Sequence, residues 1–380
     1  MDAFFVGGTS DARSLVLWRF RAKTRAPHTL PTPVSLCVIS SPARPAWSAT
    51  TSCDNSWSGA RPSACWRRWA DDRSLAGLPV ETALGDITVP ETLPAALAEC
   101  DVVIHAAAQV HIGWTGAERS ATRERRRHDE RRPRRRRRAR MIYVSSVNAL
   151  GLGNRAQPAN EETPHADDGH VPCPYVLSKR AAEKIVLDEV AAGLDAVIVN
   201  PGYMLGPWDW KPSSGKLLLQ LAGGWAKLAP RGGNDFCDVR DVATGILAAV
   251  EKGKAGRRYI LGGEPLSFLE AFTLIASVVG VKPPWRCWRK PMLVVCKRWG
   301  DAVTFLTGRE PEMNGAAIEI SELQHHFDCG RRKPNWGTHS ARPAQRWKPP
   351  GPGSANMGIR RNRFQGTGFR VQVIQSCPET

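Results

Sequence analysis

Met141-Ile-Tyr-Val-Ser-Ser146, Pro174-Tyr-Val-Leu-Ser-Lys179 and Asp195-Ala-Val-Ile-Val-Asn200 are the stretches whose order decides the fold. The first reads as a short buried strand ending in two hydroxyls. The third is another β-branched strand, broken into a loop by Pro201-Gly-Tyr-Met-Leu-Gly-Pro207. Between them, Ala182, Ile185, Val186 and Val190 recur at amphipathic spacing and predict a helix over 175–192 that ends before Gly193. Strand, helix, strand predicts a parallel sheet with crossover helices, whose ligand crevice lies beyond the carboxyl ends of the strands.

Tyr175 and Lys179 stand four residues apart, which stacks a phenol and an ammonium on one helical face. A phenol titrates near 10 in isolation, and a cation one turn along favours its ionised form, so the two make a proton-transfer pair. Tyr-x-x-x-Lys alone occurs in many helices; its weight here comes from what surrounds it. Ser146, at the carboxyl end of its strand, can hold a substrate oxygen, with Ser145 beside it. Upstream, Asp101-Val-Val-Ile-His-Ala-Ala-Ala108 is a further β-branched run, and Ala106, Ala107 and Ala108 are small enough for a flat cofactor to lie against the backbone. His105 closes that strand as a core histidine. His111 and Trp114 follow it on the expected substrate side. Tyr203, Trp208 and Arg231 sit in segments after strand ends, where they meet substrate or build the core of a smaller lobe.

Taken in order, Val6-Gly7-Gly8-Thr9, Gly85-Asp86-Ile87, His105-Ala-Ala-Ala108, Val144-Ser-Ser146, Tyr175-x-x-x-Lys179 and Asn200-Pro201-Gly202 resemble the extended short-chain dehydrogenase/reductase family, also called the NAD-dependent epimerase/dehydratase family. The dihydroflavonol-reductase-like and hopanoid-associated sugar-epimerase-like branches are the most similar. Phe236-Cys-Asp-Val-Arg-Asp-Val-Ala243 and Arg258-Tyr-Ile-Leu-Gly-Gly263 resemble the same branch. The resemblance implies an α/β fold, a Rossmann-type doubly wound parallel sheet with a smaller C-terminal substrate lobe. It also implies an enzyme that moves hydride at a secondary alcohol or ketone of a small molecule, as reductase or epimerase, with NAD or NADP undecided. Ser146, Tyr175 and Lys179 take the catalytic positions. Gly7, Gly8, Asp86, Ile87, Ala106, Ala107, Ala108, Ser145, Asn200 and Pro201 take cofactor positions, joined by Tyr175 and by Lys179, which holds the nicotinamide ribose in the family.

Three windows depart from this pattern. The first strand should run into Gly-x-x-Gly-x-x-Gly, yet only Gly7 and Gly8 are present, and residues 11–70 show no helical or strand period. Residues 119–140 are a run dominated by arginine, and everything beyond 330 is rich in Pro, Gly, Arg and Trp without pattern. The windows 11–70, 119–140 and 331–380 carry +7, +10 and +9 of a chain total of +17, leaving −9 for the rest. The basic pI therefore belongs to segments without a foldable pattern, which read as shifted translation of GC-rich coding DNA. The implied division is 1–10 as the remnant of the first strand and turn, 11–70 as irregular, 72–200 as the dinucleotide-binding domain with its break at 119–140, 201–329 as the substrate lobe, and 330–380 as a disordered tail. Besides an active enzyme, an impaired remnant that no longer binds dinucleotide fits these departures.

The Arg123–Arg138 run lacks the interleaved aromatics of a single-strand binder and any reading motif, so nucleic acid is not an expected partner. A small-molecule substrate is, and a homodimer is compatible. No apolar stretch approaches the ~18 residues of a membrane span, and the expectation is a cytoplasmic protein. The ten cysteines lack C-x-x-C spacing and read as reduced thiols with no metal site. Adjacent His325 and His326 would point to opposite faces of a strand, which suits a surface edge better than a metal cluster.

Overall fold

The computed structural model describes the backbone of residues 15–22, 34–40, 61–65, 81–85, 358–362 and 370–374, and most of 93–114, 139–165, 173–206 and 227–331. Leu217, Gln220, Leu221, Gly223 and Trp336 are described besides. The chain begins with β1 (Leu15–Ala22), β2 (Val34–Ser40), β3 (Arg61–Cys65), β4 (Glu81–Gly85), α1 (Leu93–Leu97), β5 (Val102–His105) and β6 (Arg140–Val144). It continues through α2 (Pro174–Ala191), β7 (Ala196–Pro201), β8 (Tyr203–Leu205), β9 (Leu228–Ala229), β10 (Gly233–Asp238), α3 (Val239–Lys252), β11 (Arg258–Leu261) and β12 (Glu264–Ser267). The last elements are α4 (Phe268–Val279), β13 (Arg286–Cys287), α5 (Lys290–Thr307), α6 (Gly315–Glu322), β14 (Gly358–Asn362) and β15 (Arg370–Ile374).

The main sheet runs in the order β11-β7-β6-β5-β2-β1-β3-β4. From β11 to β2 every pairing is parallel. β7 is buried along its whole length because both its faces are covered. Ala196 and Ile198 pack with Tyr143 against Ala182 and Val186 of α2. Val197 and Val199 point the other way, with Val242, Ile246 and Ala249 of α3. That two-sided burial is why these strands read as continuous apolar runs rather than alternations, and the fold is the expected doubly wound α/β sheet.

The smaller lobe is built on the sheet β12-β10-β8, with β10 parallel to β8 and antiparallel to β12. Phe236, Phe268 and Phe272 pack with Tyr203 in its core. Helix α4 begins in a capping box in which Ser267 and Glu270 satisfy each other's backbone N–H groups. At the junction of the two sheets, a Cβ on Gly202 would meet the carbonyl oxygen of Asp235 at 2.3 Å. The Asn-Pro-Gly turn thus needs a residue without a side chain there.

Several expectations are corrected. Residues 11–70 were expected to be irregular, but β1, β2 and β3 lie within them, and β14 and β15 lie within the expected tail. Local extended structure needs only a few apolar or β-branched residues, and Val34-Ser-Leu-Cys-Val-Ile-Ser40 has them. Two residues past 330 also join the body. Trp336 is buried against Tyr259, ring centroids 4.5 Å apart, and Arg331 reaches Glu161 and Glu162. His325 and His326 are buried rather than at a surface edge. Their segment pairs with Gly153 and Ala159 on one edge and with Gly233 on the other, so neither edge is open. Cys100 is disulfide-bonded, against the expectation of reduced thiols; spacing along the chain says nothing about which cysteines folding brings close. Residues 119–138 lie outside the described residues.

Candidate active site

The sheet's carboxyl edge assembles the predicted groups. β6 ends at Val144, and Ser145 still belongs to the ladder, its N–H donating to the Val199 carbonyl at 2.8 Å. Ser146 is extended (φ −159°, ψ 152°) and caps a single 3-10 turn, Val147–Ala149, its Oγ accepting from the Asn148 N–H at 3.2 Å. Both serines are buried, and Ser145 Oγ has no hydrogen-bond partner among the described residues.

Helix α2 starts beside this turn and packs on it. Cys173 is its N-cap and Pro174 opens the first turn, where a missing N–H costs nothing. Tyr175 follows, half-buried, in a cluster with Cys173, Val176, Ala316, Ile112 and Trp114. Burial pushes the Cys173 thiol up, so it enters this cluster as a neutral side chain. One turn on, Lys179 is only 3% exposed. Its Nζ donates to the Val144 carbonyl at 3.1 Å and lies 5.4 Å from the centre of the Tyr143 ring. The ammonium therefore reaches the strand end that carries the two serines.

Beneath these groups is a polar clamp that the sequence reading did not find. Asn200 Nδ2 donates to the Ser146 carbonyl at 2.9 Å and to Glu183 Oε1 at 2.6 Å. Arg258 Nε donates to Glu183 Oε2 at 2.7 Å. Glu183 is 1% exposed and lies one turn beyond Lys179 on α2, so the clamp ties that helix to β7, β11 and the Ser146 turn. A glutamate among Ala182, Ile185 and Val186 carries no pattern signal for a buried partner; only the fold supplies Asn200 and Arg258.

The other predicted residues divide. Pro201 is buried at the end of β7, Ala106 packs against the sheet core and Ala108 is half-buried. Trp114 joins the Tyr175 cluster; its backbone N–H donates to Glu310 at 2.6 Å, and its ring borders Gly315 of α6. Tyr203 instead packs in the lobe core, 4.9 Å from Phe236 between ring centroids. Arg231 is an exposed residue whose N–H donates to Glu322. Gly7, Gly8, Asp86, Ile87, Ala107, His111 and Trp208 lie outside the described residues.

A dinucleotide fits one half of this edge. The buried, unpartnered Ser145 Oγ and Asn200 Oδ1, together with the Lys179 ammonium, offer polar groups where a nicotinamide riboside would lie. Among the described residues nothing fits the pyrophosphate half. The strand beside β5, where a dinucleotide-binding sheet places its glycine-rich turn, is β2, and residues 41–58 after it contain no glycine. Its other neighbour, β1, is antiparallel.

A parallel sheet wound on both faces, with serines at a strand's carboxyl end and a Tyr-x-x-x-Lys helix beside them, defines a Rossmann-type α/β protein. The sequence pattern of the NAD dependent epimerase/dehydratase family matches residues 57–262, and the chain belongs to that family. It is 29% identical over 295 residues to sterol demethylase protein B of Methylococcus capsulatus, covering 75% of this chain and 80% of the relative. A putative dihydroflavonol 4-reductase of Synechocystis is 27% identical over 266 residues, covering 68% of this chain and 77% of the relative. The crystal structure of gox2253 superposes with a TM-score of 0.60 at 32% identity, covering 74% of this chain and 86% of that one.

Proposed function

We propose that the site performs oxidoreductase or epimerase chemistry at a secondary alcohol or ketone of a small molecule, with Tyr175 as general acid/base. The observation that carries this is the buried Lys179 ammonium held at the Val144 carbonyl, one residue before the two serines and one turn from Tyr175. Its charge favours the Tyr175 phenolate, which takes the proton from a substrate hydroxyl or returns it to a carbonyl. Ser146 donates to the same oxygen and stabilises its developing charge, while the backbone contact through Asn200 fixes the turn that presents it. A nicotinamide cofactor, when bound at this edge, supplies the hydride acceptor or donor.

A specific observation supports a second reading for this particular chain. β2 occupies the phosphate-binding strand position without a glycine-rich turn, which fits a protein that keeps the proton-transfer half and has lost dinucleotide capture. The chemistry is therefore tested in a chain whose residues 1–70 and 119–140 are replaced by those of an active relative. There, Tyr175→Phe is expected to lower turnover ~10²-fold or more with dinucleotide affinity nearly unchanged. Unaltered turnover would rule out the assigned role.

A further inference from the structure

Among the described residues, large exposed apolar side chains concentrate on α5, and Trp285 lies just before it. Met292, Val295, Trp299, Ala302 and Leu306 recur at three-four spacing and form one stripe along the helix. Val295 is 66%, Trp299 60%, Phe305 88% and Leu306 78% exposed. The opposite side fixes the orientation. Leu293 and Gly300 are buried, and a Cβ on Gly300 would meet the Met313 carbonyl oxygen at 2.5 Å. The stripe therefore cannot roll inward to hide.

The charges around the stripe identify its occupant. Lys282, Arg286, Arg289, Lys290 and Arg298 are exposed, whereas Asp301 is the only acidic residue between 282 and 307. Lys297 pairs with Glu319 of α6. The Arg286 guanidinium stacks on Trp285 at 3.7 Å, keeping a cation and an indole together at the helix entrance. A second copy of this chain is disfavoured there, because a two-fold contact would set these cations against their own equivalents. An aromatic-rich apolar face flanked by Lys and Arg suits a surface of anionic headgroups. Its side chains enter the acyl boundary while the cations stay with the phosphates. No helix among the described residues is long and apolar enough to cross a membrane, so the contact is in-plane.

We propose that α5, with Trp285 and Arg286, is a docking surface for an anionic lipid bilayer. The proposal stands apart from the site chemistry, although α5 packs on α6, whose Ala316 touches the Tyr175 cluster. The test is sedimentation of the full chain with phosphatidylcholine vesicles, with and without phosphatidylglycerol. Partitioning is expected to be about tenfold or more stronger with phosphatidylglycerol and to fall as salt rises. Trp299→Glu combined with Leu306→Glu should reduce it by about tenfold, and because both side chains are exposed the circular dichroism melt should not move. Arg289→Ala with Arg298→Ala should remove most of the preference for the anionic lipid while leaving the fold intact. Equal sedimentation with both vesicle types, or an undiminished Glu variant, would overturn the proposal. So would a wild-type dimer in sedimentation equilibrium that the Glu variant abolishes, since the face would then join copies of the chain.

Discussion

His325 shows what burial does to a single ionisable residue. Desolvation pushes its pKa down to about 4, and its Nδ1 has no partner among the described residues. An unfolded histidine titrates near 6.5, so as pH falls the unfolded chain takes up the proton first. The stability due to the neutral imidazole is whole above about pH 6.5 and is lost progressively down to about pH 4, by roughly 3 kcal/mol at most. Glu270 enters only at the acid end of that window. Its carboxyl is held down to about 2, chiefly by the Arg155 guanidinium, so its contribution is whole well above the ordinary value of 4.5, begins to fade as pH nears that value and is lost on the way down to about 2. Urea midpoints followed from neutrality down to about pH 4 should therefore fall, and His325→Leu should flatten most of the decline. His326 and His165, both also shifted down by burial, contribute to the remainder, joined by Glu270 toward pH 4. A wild-type midpoint that stays constant across this range would contradict the assignment.

At the scale of elements, α2 was legible in the sequence because its apolar residues repeat at helical spacing, and its bounds of Pro174–Ala191 differ from the expected 175–192 by a residue. Strands β5, β6 and β7 were legible because parallel strands buried on both faces leave unbroken β-branched runs. Ser146, Tyr175 and Lys179 could be picked out because motif spacing along one helix and one strand end is local. Glu183, Asn200 and Arg258 could not be joined in advance, since they come from three elements and meet only when the sheet closes. Their clamp yields its own prediction. Glu183→Ala leaves Asn200 Nδ2 without its carboxylate partner in a site that is 0% exposed, while Arg258, partly exposed, can turn to water. The expected loss is roughly 3 kcal/mol in urea unfolding, below the top of the range for breaking buried pairs. A loss under about 0.5 kcal/mol, the level of an ordinary surface change, would mean that the clamp does not hold the elements together.

At the scale of the whole molecule, the two halves of the main sheet differ. From β5 to β11 the strands are parallel, covered by α2 and α3, and end in the serines and the Tyr175–Lys179 helix. From β2 to β4 an antiparallel strand, β1, interrupts the run. Dinucleotide affinity in this architecture rests heavily on bare backbone N–H groups at a glycine-rich turn, which approach the pyrophosphate without side chains in the way. Ser41-Pro-Ala-Arg-Pro45 follows β2 instead, and two of its five residues have no N–H to offer. In the proposed site, the nicotinamide half would offer Ser145, Lys179 and Asn200 among the described residues, contacts too few to hold a flexible dinucleotide against its ordering entropy. Calorimetric titration of the full chain with NAD and with NADP should give dissociation constants on the order of 1 mM or weaker. Replacing residues 1–70 with those of a relative that carries the full glycine-rich turn should tighten binding about tenfold or more, because it restores the amide cradle and leaves the edge from β5 to β11 untouched. Micromolar affinity in the unaltered chain would show that β2 and its loop hold the phosphates by other means, and that the second half of the sheet is a working site.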